Sequence, residues 1–213
     1  MEWINDGGRD FTEVIVVDDG STDGTIEVVR NFQRSHPCVR GLSNPGNRGK
    51  GYAVRHGMLE ARSDWTLYTD ADLSTPIEEF QKLYEAAGAQ NAQIAIGSRA
   101  LDRSLVSVHQ AAFREYSGRF FNLVMRMATG LPFRDTQCGF KLYSQDAARK
   151  IFSRQKLDGF SFDVEDLFIA KKLGISTVEV PVRWRNVEGT KVSLAGGLRS
   201  FADVVKIRSM HSE

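Results

Sequence analysis

Glu13-Val14-Ile15-Val16-Val17-Asp18-Asp19-Gly20-Ser21-Thr22-Asp23-Gly24-Thr25 is the stretch whose reading decides the fold. Thr12 to Val17 is a short β-branched run of the kind that parallel sheets bury. It stops on turn residues, Asp18-Asp19-Gly20-Ser21, and Thr22-Asp23-Gly24 then opens a helical stretch reaching Phe32. Strand, turn and helix follow one another in a single breath of sequence, and the same order recurs downstream.

Val39 to Leu42 reads as a second strand. The glycine-rich Asn44-Pro45-Gly46-Asn47-Arg48-Gly49-Lys50-Gly51 follows and runs into a helix near Tyr52 to Ala61. Trp65 to Thr69 is a third strand, ending at Asp70-Ala71-Asp72. Thr75 as cap, Pro76 at the first position and Glu78 completing a capping box announce the next helix. Gln93 to Ile96 is a strand that ends in Gly97-Ser98-Arg99. Phe113, Tyr116, Phe120, Leu123 and Met127 draw an apolar stripe along a helix from Ala111 to Ala128. Lys141-Leu142-Tyr143 is a short strand, and Ser144 caps a helix reaching Phe152. Gly174 closes a helix begun near Val164, and Thr177 to Trp184 is a last strand in which Pro181 marks an edge or bulge. The alternation predicts one α/β domain over residues 1–213, a mostly parallel sheet with helices on both faces.

Composition bounds the function. The 213 residues carry 28 Lys+Arg against 27 Asp+Glu, a formal net charge of +1, which gives no electrostatic reason to expect a nucleic acid partner. Hydrophobic residues at 41% and charged residues at 26% exclude a disordered or fibrous chain. Two cysteines, Cys38 and Cys138, make neither a disulfide framework nor a metal set and read as plain thiols. No apolar run is long enough to span a bilayer, and Met1 to Gly8 lacks the marks of a signal peptide. The expected location is the cytoplasm, with peripheral contact to a membrane surface left open.

In open α/β sheets ligands bind beyond the carboxyl ends of the strands. Three such ends carry charge here: Asp18-Asp19, Asp70-Ala71-Asp72 and Gly97-Ser98-Arg99. Acid pairs at strand ends repel and desolvate, so something positive should compensate. In extended chain Asp70 and Asp72 point to one side, and two carboxylates so placed can hold a hard divalent ion whose other positions a diphosphate fills. A solvated turn with Asp72 capping a helix is the plainer alternative.

Together, Glu13 to Thr25, Asn47-Arg48-Gly49-Lys50-Gly51 and Thr69-Asp70-Ala71-Asp72-Leu73-Ser74 resemble the glycosyltransferase family 2 pattern. Asp135-Thr136-Gln137-Cys138-Gly139-Phe140-Lys141, Phe162-Asp163-Val164-Glu165 and Val180-Pro181-Val182-Arg183-Trp184-Arg185 are similar to the polyprenyl-phosphate (dolichyl-phosphate) sugar synthases, nearest to their β-glucosyltransferase branch. The resemblance covers Glu13 to Lys191. It implies a GT-A fold that moves one hexose, with inversion, from a nucleotide sugar (UDP-glucose, or GDP-mannose as the alternative) to a polyprenyl or dolichyl phosphate.

By position, the resemblance implies that Asp18 and Asp19 contact the base and ribose and that Lys50 lies near the nucleotide. Asp70, Ala71 and Asp72 would line the diphosphate, with Asp70 and Asp72 binding Mg²⁺ or Mn²⁺. The acceptor site would fall on Arg99, Arg114, Arg185 and Lys191, with Ser117 on the Arg114 helix face and Gln137 shaping the pocket. Glu165 is carried as a candidate catalytic acid, against the alternative that Asp163 and Glu165 simply suit a helix start. For Arg114 and Ser117 a solvated helix face stays open, and for Arg185 and Lys191 a charged hairpin loop.

A phosphate monoester is largely dianionic at neutral pH, so an acceptor of that kind needs positioning and charge neutralisation more than a base. The expectation is several cations and no histidine dyad, and His36, His56, His109 and His211 indeed lie outside the acidic and basic motifs. Leu194, Leu198, Phe201, Ala202 and Val205 place one apolar side on a stretch over 194–208, either an interfacial helix for a lipid-bound acceptor or a helix docked on the domain. Family members begin with a strand and a Pro-x-Tyr/Phe-Asn-Glu-like turn. Here Met1 to Asp10 reads as the tail of the helix that follows them, so the sheet is expected to lack a central member. A non-catalytic nucleotide-sugar-binding form is the corresponding rival reading.

Overall fold

The computed structural model describes residues 11–108, 125–187, 203 and 206–212. In chain order the elements are β1 (Val14–Asp18), α1 (Thr25–Ser35), β2 (Val39–Ser43), α2 (Lys50–Glu60), β3 (Trp65–Thr69), α3 (Phe80–Ala89) and β4 (Ile94–Ser98). Then come β5 (Val106–Val108), β6 (Phe140–Ser144), α4 (Gln145–Phe152), α5 (Phe162–Lys172), β7 (Thr177–Pro181) and β8 (Trp184–Arg185). Arg114, Ser117 and Lys191 lie outside the described residues, as does most of the expected helix from Ala111.

Among the described residues the strands form three sheets. β1 and β2 pair in parallel, a four-stranded sheet runs in the order β3-β6-β4-β7, and β5 pairs in parallel with β8. Within the four, β6 is antiparallel to both neighbours and β4 is parallel to β7. A reversed strand in the middle is a departure from a run of parallel strands. β6 is reached from β4 across residues 99–139, a connection long enough to return the chain in either direction. Among the described residues β7 is one edge of this sheet, which is where Pro181 can sit without breaking a ladder.

Period-two alternation distributes the four-stranded sheet between two cores. Ile94, Ile96, Tyr143 and Tyr68 face α4 and α5, meeting Ala147, Ile151, Phe152, Phe162, Val164 and Leu167. Ala95, Phe140, Leu142, Val178 and Val180 face α3 and meet Leu83 and Ala87. Ser144 caps α4 as its position implies, its Oγ accepting from Ala147 N at 3.3 Å.

Three local expectations change, and one of two open alternatives is favoured. Thr75 does not cap: a 3₁₀ turn, Ile77–Glu79, precedes α3, and the Thr75 hydroxyl is buried 4.0 Å from Cys138 Sγ. Residues 125–129 are helical, but Met125 is fully buried and Met127 is 68% exposed, so the stripe's phase is wrong at that end. β1 is half-buried rather than buried, because β2 is its sole ladder partner among the described residues. At the chain's end, residues 206–210 are helical with Ile207 fully buried among the α5 side chains and Met210 packed beside it, so this part docks on the domain.

No ladder among the described residues joins β1 to β3. The two sheets are bridged instead by α2, which packs on both β1 and β3.

Candidate active site

The site is centred where α2 begins and β3 ends. Lys50 is the first residue of α2, and its Nζ lies 2.8 Å from Asp70 Oδ1. This is the compensating charge that an acid at a strand end requires. Tyr68 donates its hydroxyl to the same oxygen at 3.2 Å. Burial first, then the charges of Asp163 and Asp70, push the Tyr68 phenol well above its ordinary value, so it stays a neutral donor. Gly139 completes the cradle: its carbonyl accepts from Asp70 N at 3.0 Å, and a Cβ at that position would overlap the Asp70 carboxylate.

Asp72 is held differently. The chain turns at Asp70 rather than staying extended, closed by Leu73 N donating to Asp70 O at 3.1 Å with Leu73 at φ 50°. Ala71 and Asp72 are exposed, and Asp72 Oδ1 accepts from Ser74 N at 2.9 Å, so Asp72 closes a local turn; it caps no helix, because the next helical residues begin at Ile77.

At the end of β1, Asp18 is buried and accepts from Ser21 N at 3.3 Å. Asp19 knots the glycine-rich loop to the strand. Its Oδ1 accepts from Asn44 Nδ2 at 2.8 Å and Arg48 N at 3.0 Å, and its Oδ2 from Gly49 N at 2.8 Å. Partial burial would raise its pKa, but these donors and the Arg48 charge outweigh it and hold the carboxyl below its ordinary value. His56 Nδ1 lies 2.7 Å from Asn44 Oδ1 and so orients the amide that holds Asp19.

The expected acceptor cations do not all stand together. Arg99 is committed to Asp135: Nε to Oδ2 at 2.7 Å, Nη2 to Oδ1 at 2.9 Å and the backbone N to Oδ2 at 3.0 Å, with the guanidinium 5.5 Å from the Trp184 ring centre. Burial alone would raise Asp135, yet Arg99 keeps it below the ordinary carboxylate value. Gln137 is half-buried, its N–H donating to Asp135 Oδ1 at 3.2 Å. Arg185 is exposed, and its backbone N bonds Ser74 O at 2.9 Å, which brings β8 beside the Asp72 turn.

Glu165 is not placed for catalysis. It is fully buried, its two oxygens accepting from Lys156 N and Leu157 N, both at 2.8 Å, with His211 Nε2 2.7 Å from Oε1. The acid of α5 nearer the site is Asp163. It is ion-paired with Lys141, a fully buried lysine that also lies 5.8 and 5.9 Å from the Tyr68 and Phe162 ring centres. Burial raises Asp163, against the lowering charges of Lys141 and Lys50. Lys141 and Asp163 were readable only in part: Asp163 sits in the acidic helix start, whereas a lysine inside a strand gives no sign of its partner 22 residues on.

Among the described residues no group of three or more His, Cys, Asp or Glu side chains could hold a metal ion. Among the described residues the carboxylates of Asp70 and Asp72 are the candidate donors to a divalent cation, oxygens of the hard type that Mg²⁺ and Mn²⁺ take, with other positions left to a diphosphate and water. Lys50 Nζ on Asp70 Oδ1 shows that this carboxylate already accommodates a cation. The donor set fits the group.

A sequence model described as glycosyl transferase family 2 matches residues 4–152. A dolichyl-phosphate beta-glucosyltransferase of Trichomonas vaginalis is 37% identical over 203 residues, which are 93% of this chain and 60% of that protein. The protein of the same name from Drosophila melanogaster is 40% identical over 91% of this chain and 62% of its own length. This chain thus spans under two thirds of the curated relatives it matches. In fold it is similar to glucosyl-3-phosphoglycerate synthase from Mycobacterium tuberculosis, with a TM-score of 0.65 at 18% identity over 92% of this chain and 68% of that one. Strand-end acids, a glycine-rich loop knotted to Asp19 and a matching family model converge on one conclusion: the chain belongs to glycosyltransferase family 2 and has the GT-A fold.

Proposed function

We propose that the protein transfers a hexose, glucose from UDP-glucose, to the phosphate of a dolichyl or polyprenyl lipid, with inversion at the sugar carbon. The observation that carries this reading is the Lys50–Asp70–Tyr68 cluster at the mouth of the sheet, beside the exposed Asp72 and the Asp19 loop. The names of the relatives supply the acceptor class and the sugar.

In this reading Asp18 and Asp19 hold the base and ribose, and Asp70 and Asp72 are the residues that would hold Mg²⁺ or Mn²⁺. The metal would stabilise charge on the departing nucleotide diphosphate. Lys50 neutralises the same charge from the side of α2. The lipid phosphate attacks as its own anion, and cations orient it: Arg185 from β8, with Arg114 and Lys191, and the Ser117 hydroxyl beside them, proposed from the resemblance. Arg99 acts through Asp135, shaping the pocket beside Gln137. No proton need be removed from a dianionic acceptor, and the absence of Glu165 from the reacting centre costs the reaction nothing. Among the described residues no helix is long and apolar enough to cross a membrane.

The test is thermal stability with UDP, GDP, UDP-glucose and GDP-mannose, each with and without Mn²⁺, followed by transfer to polyprenyl phosphate. Saturating ligand at about 100 times its Kd stabilises by roughly 2.7 kcal/mol. A Mn²⁺-dependent shift with the uridine ligands is expected. A shift with guanosine ligands alone would replace the donor by GDP-mannose, and binding without transfer would favour the non-catalytic form. Asp72→Asn should abolish metal-dependent transfer without lowering Tm; full activity in excess chelator would remove the metal from the scheme.

A further inference from the structure

The loop between α4 and α5, residues 153–161, forms a wall of the site and is fastened on two sides. Towards the site it grips the start of α2. Tyr52 N donates to Asp158 O at 3.2 Å, Gln155 Nε2 to Gly51 O at 2.9 Å, and Arg55 Nη2 to Asp158 Oδ1 at 2.8 Å. The approach is so close that a Cβ on Gly51 would come 2.6 Å from Leu157 O and 2.8 Å from Phe162 Cβ. The loop thereby carries Phe160, half exposed, to within 6.0 Å of Lys50 Nζ measured from the ring centre.

On its other side the loop is held from the C-terminal segment. His211 Nε2 meets Glu165, whose two oxygens bind the Lys156 and Leu157 amides. Lys156 Nζ donates to Met210 O at 2.6 Å, and Ser161 Oγ to Asp203 Oδ2 at 3.3 Å. Lys172 of α5 binds the His211 carbonyl, and Ile207 is wholly buried beneath. Two amides of one loop, a buried carboxylate and an imidazole thus form a continuous relay from residue 211 to the first turn of α2.

We propose that His211 is a positioning residue for the donor pocket: with Glu165 it fixes loop 153–161, and so Phe160 and Asp158, against Lys50. The proposal rests on the reading of the Lys50–Asp70 cluster as the nucleotide-sugar site. It gives Glu165 a purpose that a catalytic role does not, because both its oxygens are spent on amides. It also makes the segment after 203 part of the donor site without touching the donor.

The experiment uses the full chain with His211→Ala and His211→Gln, the second keeping a side-chain N–H. Amide hydrogen exchange is followed over 50–58 and 153–161, with α3 and β7 as internal controls, and steady-state transfer is measured with UDP-glucose and polyprenyl phosphate. Losing a hydrogen bond to a buried carboxylate should speed exchange in both segments by about tenfold or more and raise the donor KM by a similar factor. The kcat and the acceptor KM should stay within about twofold, and His211→Gln should recover most of the loss. Unchanged exchange over 153–161 in His211→Ala overturns the proposal. So does a uniform rise in exchange across α3 and β7 with kcat and both KM values altered together, which is the pattern of a merely structural residue. If the wild type binds no nucleotide sugar, the reading of the site fails instead, and the exchange result still decides whether His211 positions the loop.

Discussion

Buried charge is where single residues matter most in this molecule. Arg99 and Asp135 make a two-pronged pair with Asp135 about 1% exposed. Removing one partner of such a pair strands the other, so Asp135→Asn should cost about 3–5 kcal/mol in urea unfolding. Asp135 has a folded pKa below its ordinary 3.8, so its stabilisation is present above that value and lost as pH falls below it. The variant should accordingly lose part of the wild type's acid sensitivity in that range. Asp166 has the opposite sign. Fully buried, beside Asp163 and bonded by the Tyr143 hydroxyl, it is raised to about 7, with burial the largest cause. A carboxyl kept protonated by the fold contributes fully below 3.8, and that contribution disappears as pH rises through about 7. Between pH 5 and 8 the wild type should weaken and Asp166→Asn should weaken less; equal slopes would show that Asp166 is ionised throughout.

At the scale of elements, the two loops that meet at Lys50 are built on absent side chains. Gly139 opens the strand that follows it and leaves room for Asp70, so Gly139→Ala should push the carboxylate off Lys50. Transfer should fall by about 10²-fold, the scale on which a misplacement near 1 Å costs an enzyme, with circular dichroism and Tm little changed. Activity within twofold of wild type would show that Asp70 tolerates the shift. The same scale explains what could be read beforehand. Trp65–Thr69 and the Asp70–Asp72 end are legible because strand, acid and turn are contiguous. Lys141 is not: it alternates with Phe140 and Leu142 and so points with Tyr143 into the α4–α5 core, where its counter-ion arrives from another element. Arg99 reads as a ligand-seeking cation until Asp135, 36 residues on, claims it. The reversal of β6 lies in its pairing with strands distant in sequence, which no local periodicity encodes.

For the whole molecule, the alternation of strands and helices was enough to give the class of fold, and the strand ends were enough to single out the acids that the candidate site gathers. How the sheets sit together was not legible, because ladder pairing is a matter of distant neighbours. The result is a body with β1–β2 on one side, β3-β6-β4-β7 on the other, and α2 resting on both. Asp19 belongs to the first part and Asp70 to the second, so the proposed donor would touch both. A nucleotide sugar lodged there acts as a rivet. Without it, scanning calorimetry should show a van't Hoff enthalpy smaller than the calorimetric one, as the β1–β2 half melts ahead of the rest. With UDP-glucose and Mn²⁺ the two enthalpies should converge, and a ratio of one in both conditions would mean that α2 alone welds the halves. If the rivet holds, substrate does more than occupy this protein: it decides whether the chain unfolds as two bodies or as one.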